Sequence, residues 1–392
     1  MRPFLFFKIP MTNVPEPADP VIRMEMTRDP LLQSLWAEYC QHQVAQGYDP
    51  NTPSPYTRSF RDFANYRIEP FLEGAGRAQY EGWKTVGASE IAIRAEERGD
   101  VAGRVARWWG EALDLLDQLL SVSEEFGMFH IKRLASAPDR FPRTYPLLID
   151  LHSRGVQVGE ETLALLRCGF AAGAEARWRT LHETAVVAAF IAKHGTETVE
   201  RYAEHDHVRV KKAMDSEQEH HRELGLEPYT DEEMKEAADR YEELRRKYGA
   251  VFLGDYGWAA HALGRKPDGK PPTFMDIEAS LNLRVHRAAY KSASQAIHAG
   301  PGALVDNPGK SEGATPLFLT RGTEFGLLEP GARTAGSLGL LARALMEWRP
   351  FPFDRIALQA MGHMVMEVGA RFFACERRLS EEMARRQTED AR

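Results

Sequence analysis

Apolar positions repeat at helical spacing along most of this chain, and no stretch of any length alternates apolar and polar residues with a period of two. Val105, Trp108, Trp109, Ala112, Leu115, Leu116, Leu119 and Leu120 follow the i, i+3, i+4, i+7 rule and predict a helix over 101–134. Asp29-Pro30 opens an earlier helix over 31–45, carrying Leu32, Leu35, Trp36 and Tyr39. Weaker helical patterns fall at 60–72 and 86–97. Prolines 138, 142 and 146 mark a junction. Beyond it the pattern predicts a short helix at 145–154, a glycine hinge at 155–159 and a long helix at 160–193 closed by His194-Gly195. A polar amphipathic segment covers 197–222. The segment 231–248 is charged nearly all round, with Glu, Lys and Arg at i, i+4 spacing, and reads as a solvated outer helix. Tyr256-Gly-Trp258 begins an aromatic turn, and Thr273-Phe-Met-Asp276 begins a helix predicted to end at His298.

Residues 300–336 are rich in glycine and proline and read as an irregular lid or binding loop. Closing helices follow at 337–348 and 354–379, the second with Met361, Met364 and Met366 as gap-filling core, and the charged tail after Ser380 reads as frayed. The expected fold is all-α. An extended lead-in (1–30) and an N-terminal helical region (31–140) precede a central helical bundle (141–300). An irregular loop (301–336) and C-terminal helices with a charged tail (337–392) complete the chain.

Composition adds limits. A chain of 392 residues is long enough for two or three packed units. A net charge of −7 argues against broad affinity for nucleic acid but leaves room for a local basic groove. Cys40, Cys168 and Cys375 are scattered through apolar helical surroundings and read as reduced, buried thiols, neither a disulfide framework nor a zinc site. The N-terminal apolar patch is too short for a signal peptide, and Met11 is an alternative start to Met1. No stretch approaches the roughly 20 apolar residues of a membrane span, so no membrane partner and a cytoplasmic location are expected.

Two helical stretches interrupt apolar surface with ionisable groups, which are costly to bury unless paired. The first holds Arg177, Arg179, His182 and Glu183. Arg179 and Glu183 stand at i, i+4, with His182 about 60° from Arg179 around the helix. Either the arginine and glutamate pair while His182 bonds a carbonyl, or the cluster walls an anion-binding cleft. The second places Arg287, Tyr290, Lys291, Ser294 and His298 in one angular sector, with His298 in the last turn. These residues suit a phosphodiester: His298 as general acid or base, lysine or arginine as charge stabiliser. They equally suit a hydrogen-bond network pinning adjacent helices. A third feature is the pair of Glu-x-x-His spacings, Glu204…His207 and Glu217…His220, the spacing of di-iron bundles; on a segment that is polar all round it reads first as a solvated helix.

The order Arg177-Trp-Arg-Thr-Leu-His-Glu183, Arg201-Tyr202…His205, Tyr256-Gly-Trp258, Tyr290…Ser294…His298 resembles the prokaryotic domain-of-unknown-function family 5677, over roughly 145–298. That family in turn resembles the helical HEPN group of abortive-infection and toxin proteins. Many of that group are metal-independent ribonucleases with an arginine and a histidine on one helix, four to six residues between them. Lys291 precedes His298 with six residues between them, and lysine stands in the arginine's place, leaving Arg177 or Arg179 to supply the cation. The likeness implies a metal-independent ribonuclease in phage defence or stress toxicity, with no cofactor, acting on RNA as a homodimer. His298, Lys291, Tyr290 and Ser294 would form its catalytic stripe. Arg177, Arg179 and Arg287 would bind phosphate, supported by His182, Glu183 and Trp258. The alternatives are a non-catalytic helical scaffold or sensor that binds a protein partner through the 300–336 loop, and a metal-binding helical bundle.

Overall fold

The computed structural model describes residues 30–45, 56–295, 321–347 and 352–390. Among them every regular element is helical and no strand occurs, so the protein is all-α. The chain divides into two compact units, residues 1–95 and 96–392. The first holds α1 (Pro30–Ala45), where Leu35, Trp36 and Tyr39 are buried and the Trp36 and Tyr39 rings lie 5.5 Å apart. It also holds the first part of α2 (Tyr56–Ser136). The three separate helices expected between 60 and 134 are this one helix. Gly82, Gly87 and Gly99 on it cost about 1 kcal/mol each relative to alanine, which does not stop a helix.

The second unit begins with the remainder of α2, whose Val105, Trp109, Ala112, Leu116, Leu119 and Leu120 form a fully buried stripe. Each large member contributes about 1.5–3 kcal/mol by leaving water. The Trp109 indole N–H donates to the Glu324 carbonyl at 2.8 Å, and its ring lies 5.8 Å from that of Phe372. Next come α3 (Thr144–Arg167) and α4 (Ala171–His194), packed as an antiparallel pair, with α9 (Leu328–Glu347) against both and α10 (Pro352–Asp390) against α9.

The hinge expected at 155–159 lies inside α3. Its two glycines mark close packing: a Cβ on Gly155 would run into Leu341, and one on Gly159 would come 2.6 Å from Leu120. The chain turns instead at Cys168–Phe170, where Gly169 takes the left-handed φ of 76° and its carbonyl accepts from Thr323 N–H. Because Cys168 sits in this turn, it is exposed, unlike buried Cys40 and Cys375; all three are free thiols.

A hairpin follows, α5 (Thr196–Leu224) and α6 (Asp231–Tyr248), the latter opened by a capping box between Thr230 and Glu233. As its charge pattern predicts, α6 buries only Leu244. Two 3-10 turns, Ala250–Leu253 and Gly257–Ala259, then bury Phe252 and Trp258. The single helix expected from 273 to 298 is broken: α7 (Phe274–Ser280) ends near Asn282, which adopts φ 60°, and α8 (Arg287–Gln295) starts afresh after a 3-10 turn. Asparagine tolerates that conformation better than most residues.

Two boundaries in the C-terminal part also differ from expectation. α9 starts at Leu328, with Pro330 inside its first turn where no N–H is needed, rather than at Ser337. α10 continues to Asp390, its supposed frayed tail braced by Arg385 and Arg386 on Glu382 at 2.8 Å. Met361 is buried in the core, but Met366 faces outward at 74 % exposure. Among the described residues no helix is long and apolar enough to cross a membrane.

Candidate functional site

The polar stretches singled out in the sequence meet in space. α4 brings Arg179, His182 and Glu183 into the middle of the bundle, and α8 packs Tyr290 and Arg287 against them. Glu183 is the hub: the Tyr256 hydroxyl donates to its Oε1 at 2.6 Å and the Tyr290 hydroxyl to its Oε2 at 3.2 Å. Burial and then the Glu183 carboxylate push Tyr256 far above the usual phenol range, and the same causes push Tyr290 up to about 12. Both hydroxyls therefore remain protonated donors at neutral pH. The Arg179 guanidinium lies 4.6 Å from the Tyr290 ring centre and that of Arg287 lies 5.2 Å from it, a cation–π arrangement.

Beneath this hub sits a second carboxylate, Glu278 of α7, which is fully buried. It accepts from Arg287 Nη1 at 3.2 Å, and His182 Nε2 stands 3.3 Å from its other oxygen. Burial raises the pKa of Glu278, and Arg287 partly offsets this. Burial pushes His182 down to about 4, with His286 adding to the effect, so the imidazole is neutral at pH 7 and bonds as a donor rather than as a cation. The His182 ring lies between Trp178 and His286, 5.3 and 5.4 Å away.

The remaining candidates are placed as follows. Arg177 forms an ion pair with Glu161 of α3. The Ser294 hydroxyl donates to the Tyr290 carbonyl at 2.8 Å, while Lys291 is exposed. Trp258 is buried, edge-on to Phe190 and Tyr202 at 5.6 and 5.0 Å. His298 lies outside the described residues, as does 301–320 of the expected binding loop. With Arg177 on Glu161 and Arg287 on Glu278, Arg179 is the arginine of the three that makes no ion pair among the described residues. The buried Nε atoms of all three arginines lack a hydrogen-bond partner among the described residues.

Sequence reasoning missed two members of this cluster. Tyr256 stands in the Tyr256-Gly-Trp258 stretch, whose sequence predicts an aromatic turn and no hydrogen-bonding role. Glu278 is a lone acid between Ile277 and Ala279 on an otherwise apolar face, which was its only signal. The predicted pairing of Arg179 with Glu183 does not form; each Glu183 oxygen accepts a tyrosine hydroxyl instead.

Beside Glu183, between α4, α5 and the 254–258 turn, a cleft of about 600 Å³ opens to solvent. Tyr202, Tyr256 and Trp258 line it, and Arg209 and Lys212 belong to its exposed part. His205 bonds the Gly254 carbonyl through Nε2 at 2.8 Å, and burial lowers its pKa. The acid-and-histidine segment of α5 is otherwise spent on surface contacts. Glu204 pairs with Lys247 and Arg240, Glu217 accepts from Tyr229, and His220 faces Glu223. Among the described residues no group of three or more His, Cys, Asp or Glu side chains is arranged to hold a metal ion.

A separate buried polar cluster joins α2, α3 and α10. His130 Nδ1 lies 2.7 Å from the Tyr145 hydroxyl, Arg133 grips Asp354 through two bonds of 2.9 and 3.0 Å, and His152 Nδ1 has no hydrogen-bond partner among the described residues. Burial pushes His130 and His152 each down to about 4.

No curated protein and no solved structure matches the chain. Residues 145–314, from the first turn of α3 through α8 and beyond, match the sequence profile of a family of unknown function, DUF5677.

Proposed function

We propose that the protein is a HEPN-like, metal-independent ribonuclease of phage defence or stress toxicity, acting on RNA as a homodimer. Support comes from one observation: Arg179, a half-buried guanidinium in the middle of the bundle, makes no ion pair among the described residues, whereas Arg177 and Arg287 each pair with a glutamate. A desolvated cation left unpaired is unfavourable, and a phosphate oxygen would complete it bidentately. Arg179 thus takes the cationic role that Lys291 cannot fill alone, and exposed Lys291 adds a second positive charge on α8. In this reading His298 moves the proton and Arg179 stabilises the charge that develops on phosphorus-bound oxygen. Tyr290 and Ser294 orient the imidazole.

The test is cleavage of single-stranded RNA by the purified full chain in the presence of a chelator. Wild type should cleave, and His298→Ala should lose about 10²-fold or more in rate while remaining folded. Arg179→Ala should lose a comparable amount. Wild type that leaves RNA intact overturns the reading.

A second reading is a non-catalytic scaffold or sensor. It is favoured by the internal use of the proposed catalytic hydroxyls: Tyr290 donates to Glu183 and Ser294 to a backbone carbonyl. Under it, His298→Ala changes partner capture and leaves RNA untouched in every sample.

A further inference from the structure

The cleft beside Glu183 has chemistry that the buried network does not consume. Each Glu183 oxygen accepts one tyrosine hydroxyl, and a carboxylate oxygen carries two lone pairs. The carboxylate is therefore held by two fixed donors and keeps one acceptor position on each oxygen. Among the described residues it makes no ion pair, and a half-buried carboxylate without a cation calls for further donors. The aromatic side chains of Tyr202, Tyr256 and Trp258 line the same cleft, and so do the exposed cations Arg209 and Lys212. Asp206 and Asp255 line the cleft as well: Arg209 pairs with Asp206 at 2.9 Å, and Lys212 donates to the Leu253 carbonyl at 2.9 Å and stands 4.0 Å from Asp255, all solvent-exposed contacts that exchange cheaply.

We propose that this cleft binds a guanine nucleotide, with the base N1–H and N2 amino group donating to the two oxygens of Glu183, the base against the Tyr202–Tyr256–Trp258 wall, and the phosphate on Arg209 and Lys212. The choice of base follows from donor geometry. A carboxylate is a fork of two acceptors, and guanine is the base whose pairing edge offers two adjacent donors. Adenine and cytosine offer a donor beside an acceptor, and uracil a single donor between two acceptors, so each would set an acceptor against the carboxylate. Stacking on aromatic side chains with edge recognition is how single-stranded RNA bases are held. A cleft of about 600 Å³ lies within the range of small-molecule sites. The guanine has two sources, an RNA strand or a free mononucleotide. Its RNA form rests on the ribonuclease reading and adds a base preference to it; binding of the free nucleotide does not depend on cleavage.

The experiment is titration calorimetry of the full chain with GMP, AMP, CMP, UMP and guanosine, and with short oligoribonucleotides containing or lacking guanine. GMP should bind at least about tenfold tighter than the other three nucleotides. Glu183→Gln, which turns one acceptor into a donor, should abolish that preference. Because Glu183→Gln also touches the tyrosine network, a second variant, Arg209→Ala with Lys212→Ala, changes only exposed groups. It should weaken GMP about tenfold and leave guanosine unchanged. A guanine-containing oligonucleotide that binds tighter than GMP identifies RNA as the occupant, and the reverse order identifies the free nucleotide. Equal binding of all four nucleotides, no binding at millimolar concentration, or methylguanidine binding as tightly as GMP overturns the proposal. RNA cleavage can fail with guanine binding intact, and guanine preference can fail with cleavage intact, so the two readings fall separately.

Discussion

Three buried histidines should make this protein acid-sensitive, with most of the loss above pH 5. His130, His152 and His182 are each no more than 2 % exposed, and burial pushes each down to about 4. An unfolded histidine titrates near 6.5. The folded state thus binds fewer protons than the unfolded state. The stability these groups contribute is present above pH 6.5 and is lost as pH falls from there towards 4. Between pH 7 and pH 5 each such group takes away about 2 kcal/mol, so the three together take about 6. Buried carboxyls work in the opposite direction: burial lifts Glu175 to about 7 despite its 2.7 Å ion pair with Arg333, so its proton is bound more tightly in the folded state. Over the same interval Glu175 returns about 2 kcal/mol, and Glu278 and Glu376, both raised by burial, act with it.

His152 isolates the effect best, because its Nδ1 has no hydrogen-bond partner among the described residues and burial is the largest cause of its lowered pKa. Urea unfolding of wild type and His152→Gln, followed by the fluorescence of buried Trp109 and Trp178, gives stability at pH 7, 6 and 5. The variant should be less stable at pH 7, where a packed ring is lost, yet should lose about 2 kcal/mol less than wild type on going to pH 5. Parallel pH profiles for the two proteins would refute the argument, since they would mean that His152 carries the same charge in both states.

Two further outcomes test the packing and the hub. Gly155→Ala should cost about 1–3 kcal/mol in the same assay, because its methyl meets Leu341 and the α3–α9 contact must open; an unchanged urea midpoint would show that the contact is loose. Tyr256→Phe removes the 2.6 Å donor to Glu183 and should destabilise by about 1–3 kcal/mol, measured by thermal or urea unfolding, by leaving one carboxylate oxygen half-satisfied.

Which parts were legible in the sequence follows from what periodicity encodes. A helical stripe such as Val105–Trp109–Ala112–Leu116 names the buried face of a helix, so the all-α class and the solvated character of α6 could be read directly. Periodicity does not say what the face packs on. Gly155 and Gly159 therefore looked like a hinge, when they are the contact points of two helices that approach too closely for a Cβ. Asn282 broke a helix that continuous polarity suggested, because a left-handed residue leaves almost no trace in composition. The same limit applied to the site. Charged residues interrupting apolar faces identified Arg179, Glu183, Arg287 and Tyr290 one element at a time, and the fold brings all four together. Their pairing was not legible, since it depends on groups far along the chain: Tyr256 takes the carboxylate that Arg179 was expected to hold, and Glu278 takes Arg287. Arg179 lies instead over the ring of Tyr290, 4.6 Å from its centre, and makes no ion pair among the described residues, a placement that no i, i+4 spacing encodes.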